Sequence, residues 1–357
     1  MVENIYQYKI TNSSVKKILS GHYSSLGKAD RIYKFSSVGF NSIIFFFIIK
    51  KKKYLIKILT NPDYIYGRKN SLKRLNTITN IINKLSKKYL FENFLKNDEG
   101  SYVTNYNGSA VRVTRFVESY SNKNKNEIIL KRSIKKIEKL HQYCWRDLSN
   151  IDKNNLKKLP VHYSLKYSFK KKDKIKSFLL KELNKKNSFF NKKDLKLIIN
   201  KFGYLCLNIK KIKKIEKNNF FNIKTFTHND FHPENIIFNK KNSLYLFDFD
   251  NIQYSEVFRC LYLFLLRFSF FKKKVNENNL KKTFKSFKKN YKLFNIPNYN
   301  ESLKYFLYIE LEKIFKILCR ISEKYYLTIF LKKIINIHLP NVMFLIDLID
   351  KNKKKPC

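Results

Sequence analysis

The groups that can do chemistry concentrate between Thr227 and Asp250. The chain reads Thr227-His228-Asn229-Asp230-Phe231-His232-Pro233-Glu234-Asn235, and thirteen residues after Asn235 comes Asp248-Phe249-Asp250. Asp230 and Asn235 lie five apart on an irregular segment. Between them and Asp248, Ile236-Ile237-Phe238 and Leu244-Tyr245-Leu246-Phe247 are short apolar runs joined by Asn239-Lys240-Lys241-Asn242-Ser243, the pattern of a hairpin. A hairpin brings its two mouths together, so three oxygen-bearing side chains can converge. Mg²⁺ takes hard oxygen ligands and keeps several waters, usually with one or two protein groups plus substrate phosphates. Asn235 and Asp248 suit that role, which leaves Asp230 to accept a proton from an attacking hydroxyl.

The elements that must position these groups follow from apolar periodicity. Short Ile- and Phe-rich runs at 32–38, 43–49 and 54–59, broken by polar turns, predict an antiparallel meander. Leu72, Leu75, Ile78, Ile82 and Leu85 recur at spacings of three and four, one face of a helix. Strands are expected at 101–106 and 110–117, and the polar stretch 119–126 reads as a linker. Beyond it the chain reads as helical: 128–143, then two Lys/Asn-rich amphipathic segments over 165–217, with Leu195, Ile198, Ile199, Phe202 and Leu205 on the buried side of the second. A β insertion spans 225–250, and 256–350 reads as a run of apolar helices. The expected sum is an α+β chain: a small sheet-plus-helix lobe over 1–118, and a larger helical lobe over 119–357 with the hairpin embedded in it.

The spacing matches the kinase loop pattern H-x-D-x-x-x-x-N followed by a metal-binding aspartate after a hairpin. On these residues the chain resembles the aminoglycoside phosphotransferase and choline kinase superfamily, small-molecule kinases with a bilobal protein-kinase-like fold. Their loop typically reads H-G-D-x-H-x-x-N before an I-D-F/W/Y. The resemblance implies ATP and Mg²⁺ as cofactors, Asp230 as the catalytic base, and Asn235 and Asp248 as metal ligands. It implies that His228 and His232 support the loop, Asp250 stands behind the metal ligands, and His141 of Leu140-His141 is structural. It places the nucleotide on the small lobe: Gly39 and Asn41 in a phosphate-covering turn, Lys57 reaching the α- and β-phosphates from the third strand, and Phe116 and Glu118 at the adenine hinge. A protein kinase is disfavoured, since Asp248-Phe249-Asp250 lacks the third-position glycine and no A-P-E follows in the next forty residues.

Two departures from the family pattern stand out. The helix after Lys57 should supply a glutamate to position that lysine, yet no acidic residue lies between Asp63 and Glu92. Either another group holds Lys57, or the phosphate grip is weak, or the protein is a degraded kinase. In addition, Arg259 or Cys260 stands where the family places a loop-anchoring aspartate. The expected function is therefore an ATP- and Mg²⁺-dependent phosphotransferase acting on a hydroxyl of a small molecule. Candidate acceptors are choline or ethanolamine, homoserine, a sugar or an aminoglycoside. The alternative is a catalytically weak kinase-like protein with a binding or structural role.

Composition narrows the partners. The 357 residues include 75 Lys and Arg against 27 Asp and Glu, a net charge of +48, and 44% are hydrophobic, which excludes full-length disorder. Only 10 of the 75 cations are arginine, and the chain holds just two alanines, Ala29 and Ala110. An AT-rich genome that spells surface cations as lysine accounts for most of the charge. With arginine scarce and no stripe of cations interleaved with aromatics, no specific nucleic-acid partner is expected. The most apolar run, 43–49, is seven residues, against the roughly 20 that cross a bilayer. No signal-peptide pattern opens the chain. Five widely spaced cysteines without a C-x-x-C point to a reducing, cytoplasmic setting.

Overall fold

The computed structural model describes residues 10–35, 42–59, 71–118, 126–159, 165–188, 190–212, 223–231, 233–239, 243–271, 274–322 and 328–353. Gly39, Asn41, His232 and most of the expected linker lie outside the described residues. The chain divides into two compact units: 1–124 with 146–159 and 234–252, and 125–145 with 160–233 and 253–357.

The first unit is built on an antiparallel sheet. Strands β1 (Arg31–Lys34), β2 (Ser42–Ile49), β3 (Lys52–Leu59), β4 (Phe94–Leu95), β5 (Thr104–Tyr106) and β6 (Ser109–Arg115) run in the order β1-β2-β3-β6-β4, with β5 also paired to β6. The β2–β3 turn is tight, with Ile49 paired to Lys52. Lys50 and Lys51 both take positive φ, 48° and 64°, the geometry of a two-residue hairpin turn. Side chains alternate across the sheet. Phe45, Phe47, Ile49, Tyr54, Ile56, Ile58, Val111 and Val113 are buried against Val15, Ile18 and Leu19 of α1 (Asn12–His22). A reciprocal hydrogen-bond pair between Thr11 and Ser14 starts that helix. The opposite face carries Ile44, Phe46, Leu55 and Lys57, all half-buried. Helix α2 (Ser71–Tyr89) turns Leu75, Ile78, Ile82 and Leu85 inward, as their spacing predicts.

The hairpin β8 (Ile236–Phe238) and β9 (Leu244–Leu246) forms where expected but groups with the sheet unit, not with the helices. Backbone bonds explain this. Glu92 N–H donates to the Leu246 carbonyl at 3.2 Å, and Leu246 N–H to the Leu90 carbonyl at 3.3 Å. The ring of Phe91 lies 4.6 Å from that of Phe249.

The second unit is mainly helical. α3 (Asn126–Lys139) ends in a π turn, Leu140–Cys144, that carries the buried His141. α6 (Lys192–Ile212), which follows α4 (Asn150–Lys158, in the first unit) and α5 (Lys172–Asn184), buries Leu195, Ile198, Phe202 and Leu205, with Ile199 half-buried. A strand pair absent from the sequence reading, β7 (Lys224–Thr227) with β10 (Gln253–Glu256), brackets the loop that carries Asp230. α7 (Val257–Phe268), α8 (Glu277–Asn290), α9 (Tyr299–Ser322) and α10 (Leu339–Lys353) follow. A short pair, Phe270–Phe271 with Lys274–Val275, interrupts the expected helical run. α9 is buried almost all round, as a core helix must be, with Leu303, Phe306, Leu311, Ile314, Phe315 and Leu318 all inside. Among the described residues no helix is long and apolar enough to cross a membrane. Among the described residues Cys144, Cys206, Cys260 and Cys319 are in no disulfide.

Candidate functional site

In the first unit the groups gather on the sheet face turned away from α1. Lys57 on β3 lies directly opposite Arg112 on β6. Two like charges in that register repel, and a carboxylate resolves the conflict. Asp250 bonds Lys57 Nζ through Oδ2 at 2.8 Å and takes the Arg112 guanidinium on Oδ1. Asp248 adds a second acceptor, with Oδ1 2.8 Å from Lys57 Nζ. Arg112 is buried to 1% exposure and stacks 5.1 Å from the centre of the Phe94 ring. Burial alone would push the Lys57 ammonium down, but Asp248 and Asp250 outweigh it and raise its pKa above the usual lysine range. Burial likewise works against the Asp250 carboxylate, and Arg112 with Lys57 overcomes it, holding Asp250 well below the usual carboxylate range.

The turn after β9 explains how two aspartates reach one lysine. Asp248 sits in the left-handed region, with φ 60° and ψ 56°. That bend buries Phe249 and lets the carboxylates on both sides of it point to Lys57. Glu92 accepts the Phe249 N–H at 3.3 Å, and burial pushes its carboxyl up to about 7. Asn235 is buried at the other mouth of the hairpin, its carbonyl accepting the Phe247 N–H at 3.0 Å. After β6, Phe116 N–H donates to the Lys53 carbonyl at 3.0 Å, its ring edge-on to Phe46 at 5.1 Å. The Glu118 side chain pairs with Lys53 at 2.6 Å on the surface.

The second unit holds Asp230. His228 is wholly buried, edge-on to Phe231 at 5.8 Å, and its Nδ1 accepts the Asp230 N–H at 3.3 Å. Asn229 has φ 56°. Its Nδ2 donates to Thr227 Oγ1 at 2.8 Å and Ser255 Oγ at 3.1 Å, tying the loop to β7 and β10. Where an anchoring carboxylate was expected, Arg259 does the anchoring with the charge reversed. Its Nη1 donates to Asn229 Oδ1 at 3.3 Å, while its Nε donates to Glu312 Oε1 on α9 at 3.0 Å. Burial works against the Arg259 charge, but Glu312 outweighs it. His141 is structural in its contacts: Nδ1 faces the Tyr291 hydroxyl at 3.1 Å, and its carbonyl accepts Thr225 Oγ1 at 2.9 Å.

Thus Lys57, Asp248 and Asp250 come together in one unit, with Asn235 in the same unit, and His228 and Asp230 lie in the other. Sequence reasoning missed Arg112, Glu92 and the Arg259–Glu312 pair. A signal existed for Arg112, a cation set among the apolar residues Ala110-Val111-Arg112-Val113. None existed for Glu92, whose role depends on contacts across the fold.

No family model matches the sequence, and no curated protein matches it either. Solved structures do. A spectinomycin phosphotransferase in complex with ADP and spectinomycin is 15% identical at a TM-score of 0.62, covering 94% of this chain and 98% of its own. An ethanolamine kinase from Plasmodium vivax is 17% identical at 0.62, with coverages of 97% and 90%. A choline kinase from Streptococcus pneumoniae is 11% identical at 0.59, with coverages of 95% and 100%. The chain therefore has the α+β, kinase-like fold that aminoglycoside phosphotransferases and choline/ethanolamine kinases share.

Proposed function

We propose that the protein transfers the γ-phosphoryl group of ATP to a hydroxyl of a small molecule. The observation that carries this reading is Lys57, held 2.8 Å from both Asp248 and Asp250 on the free face of a kinase-like sheet. The apolar side chains beside it, Ile44, Phe46 and Leu55, with Phe116, offer the adenine a half-buried surface. Gly39, Asn41 and Glu118 complete the nucleotide side of the proposal. Lys57 turns its ammonium from the carboxylates to the α- and β-phosphates when nucleotide enters, and Arg112 keeps Asp250 ionised and in place.

The acceptor oxygen forms a bond to the γ-phosphorus as the bond to the bridging oxygen of ADP breaks. The hydroxyl proton passes to the Asp230 carboxylate, and ADP leaves with the electron pair. Asn235 and Asp248 would hold Mg²⁺, which supplies charge neutralisation at the phosphates. Their donors fit, being hard oxygens only. Among the described residues no group of three or more His, Cys, Asp or Glu side chains forms a metal cage, and an ion that keeps waters and phosphate oxygens needs none. His228 and His232 orient the loop, and four described cysteines outside any disulfide accord with a reducing, cytoplasmic setting.

The test pairs nucleotide protection against thermal unfolding with ADP release over a panel of alcohols. Asp230→Ala is expected to lower transfer about a hundredfold or more while sparing nucleotide protection. Asp248→Ala is expected to remove the Mg²⁺ dependence of that protection. Transfer untouched in the first variant, or Mg²⁺ dependence unchanged in the second, overturns the assignment. Nucleotide protection without transfer to any alcohol would favour the catalytically weak alternative.

A further inference from the structure

The loop bearing Asp230 faces a helix whose charges have the wrong sign for the acceptors of the proteins it resembles. Glu312, Lys313, Lys316 and Arg320 are spaced one, four and eight positions along α9, and so share one side of the helix. The side is located by Arg259, which joins Glu312 to Asn229, the neighbour of Asp230. The charge of Asp230 acts on both Lys313 and Lys316.

The acids on this side are already engaged. Glu312 is taken by Arg259. Glu310 accepts from His338 Nδ1 at 2.7 Å and lies 3.5 Å from Lys313 Nζ. Lys316 forms no hydrogen bond or ion pair among the described residues. Its surroundings add cations, Arg259 and Arg320, while those of Lys313 add Arg267 and Lys333. Burial, with these neighbours, pushes Lys313 down to about 7 and Lys316 well below its ordinary value. A half-buried cation without a counterion is costly unless a ligand supplies the charge. A second cation brought to the same place would be repelled.

We propose that the acceptor is an anionic alcohol, whose hydroxyl addresses Asp230 while its carboxylate or phosphate ester is held by Lys316 and Lys313. The proposal rests on the phosphotransferase reading above and names its substrate class. Choline-like and aminoglycoside-like acceptors are thereby the poor ones.

The test uses the full chain with ATP and Mg²⁺ and a matched set of acceptors: glycerate and glycerol phosphate as anions, glycerol as the neutral member, serinol and choline as cations. The anions should be preferred over glycerol by about tenfold or more in kcat/KM, and the cations should fall below it. Lys316→Met, which keeps the apolar stem, should lower kcat/KM for the anions by roughly tenfold to a hundredfold relative to glycerol in the same variant. Glycerate against glycerol phosphate separates a carboxylate site from a phosphate site. If no acceptor turns over, the thermal shift produced by glycerol phosphate alone is the readout. Its loss in Lys316→Met but not in Lys193→Met, a change at an exposed lysine, supports the site. Equal shifts in all three proteins overturn it. Turnover of serinol or choline at or above glycerate overturns the anionic acceptor and leaves the kinase reading standing. Absence of any nucleotide protection defeats the kinase reading itself.

Discussion

Asn229 shows how much a single residue can be asked to do. Its φ of 56° is the left-handed region, where a Cβ costs about 1–2 kcal/mol and asparagine is among the few side chains that visit routinely. Glycine, which the resembling families carry there, satisfies the backbone alone. Asparagine satisfies it and also donates to Thr227 and Ser255 while accepting from Arg259. Asn229→Ala should therefore be worse than Asn229→Gly by about 1 kcal/mol in urea unfolding, because alanine loses the hydrogen bonds and keeps the strain. Equal losses would show that the hydrogen bonds alone set the cost. Asp248, at φ 60°, is under the same backbone demand, and strain of this kind persists only where its surroundings over-determine it.

Strands β3 and β6 present a problem that neither solves alone. Their register sets Lys57 against Arg112, two cations on neighbouring strands, and Asp250 from the turn after β9 is shared between them. Removing one partner of a buried charge cluster leaves the others uncompensated, at a typical cost of about 3–5 kcal/mol. Asp250→Asn should thus destabilise the sheet unit by that order, measured by hydrogen exchange at the amides of β3 and β6. Adding Arg112→Leu to it should recover part of the loss, since the repulsion then disappears with the second cation. A double variant that is additively worse would mean that Arg112 stabilises the sheet by packing on Phe94 rather than through charge.

The molecule as a whole carries +48, and buried titratable groups of both kinds, neutral histidines and paired carboxylates, shape its response to acid. Burial lowers His141 from 6.5 to about 3, and also lowers His338 against the opposing pull of Glu310. The folded chain refuses protons that the unfolded chain accepts below about pH 6.5, so stability falls as pH drops from there toward 3. Glu310, held down at about 2 by His338 and Lys313 against its own burial, adds a loss of the same sign below its ordinary 4.5. Glu92, pushed up to about 7, opposes this between pH 7 and its ordinary 4.5, because the folded chain there holds a proton that the unfolded chain has lost. Urea midpoints should therefore fall most steeply below about pH 4.5, and His141→Gln should flatten the acid decline even if it lowers the midpoint at neutral pH. A variant with an unchanged slope would remove His141 from the account.

The fold class, the run of strands followed by helices, and the buried sides of α2 and α6 were all legible in the chain, because periodicity records which side of an element faces apolar neighbours. The hairpin of β8 and β9 was legible for a similar reason, since hairpin geometry is local. The β7–β10 pair was not. Its strands lie more than twenty residues apart and carry no strong alternation of their own. Nor was the attachment of the 236–246 hairpin to the sheet unit, which depends on backbone bonds to residues 90–92. Arg112 across from Lys57, Glu92 beneath Phe249, and the Arg259–Glu312 pair belong to the same class. A charge's partner is set by which distant segments meet, and sequence spacing carries no record of that meeting.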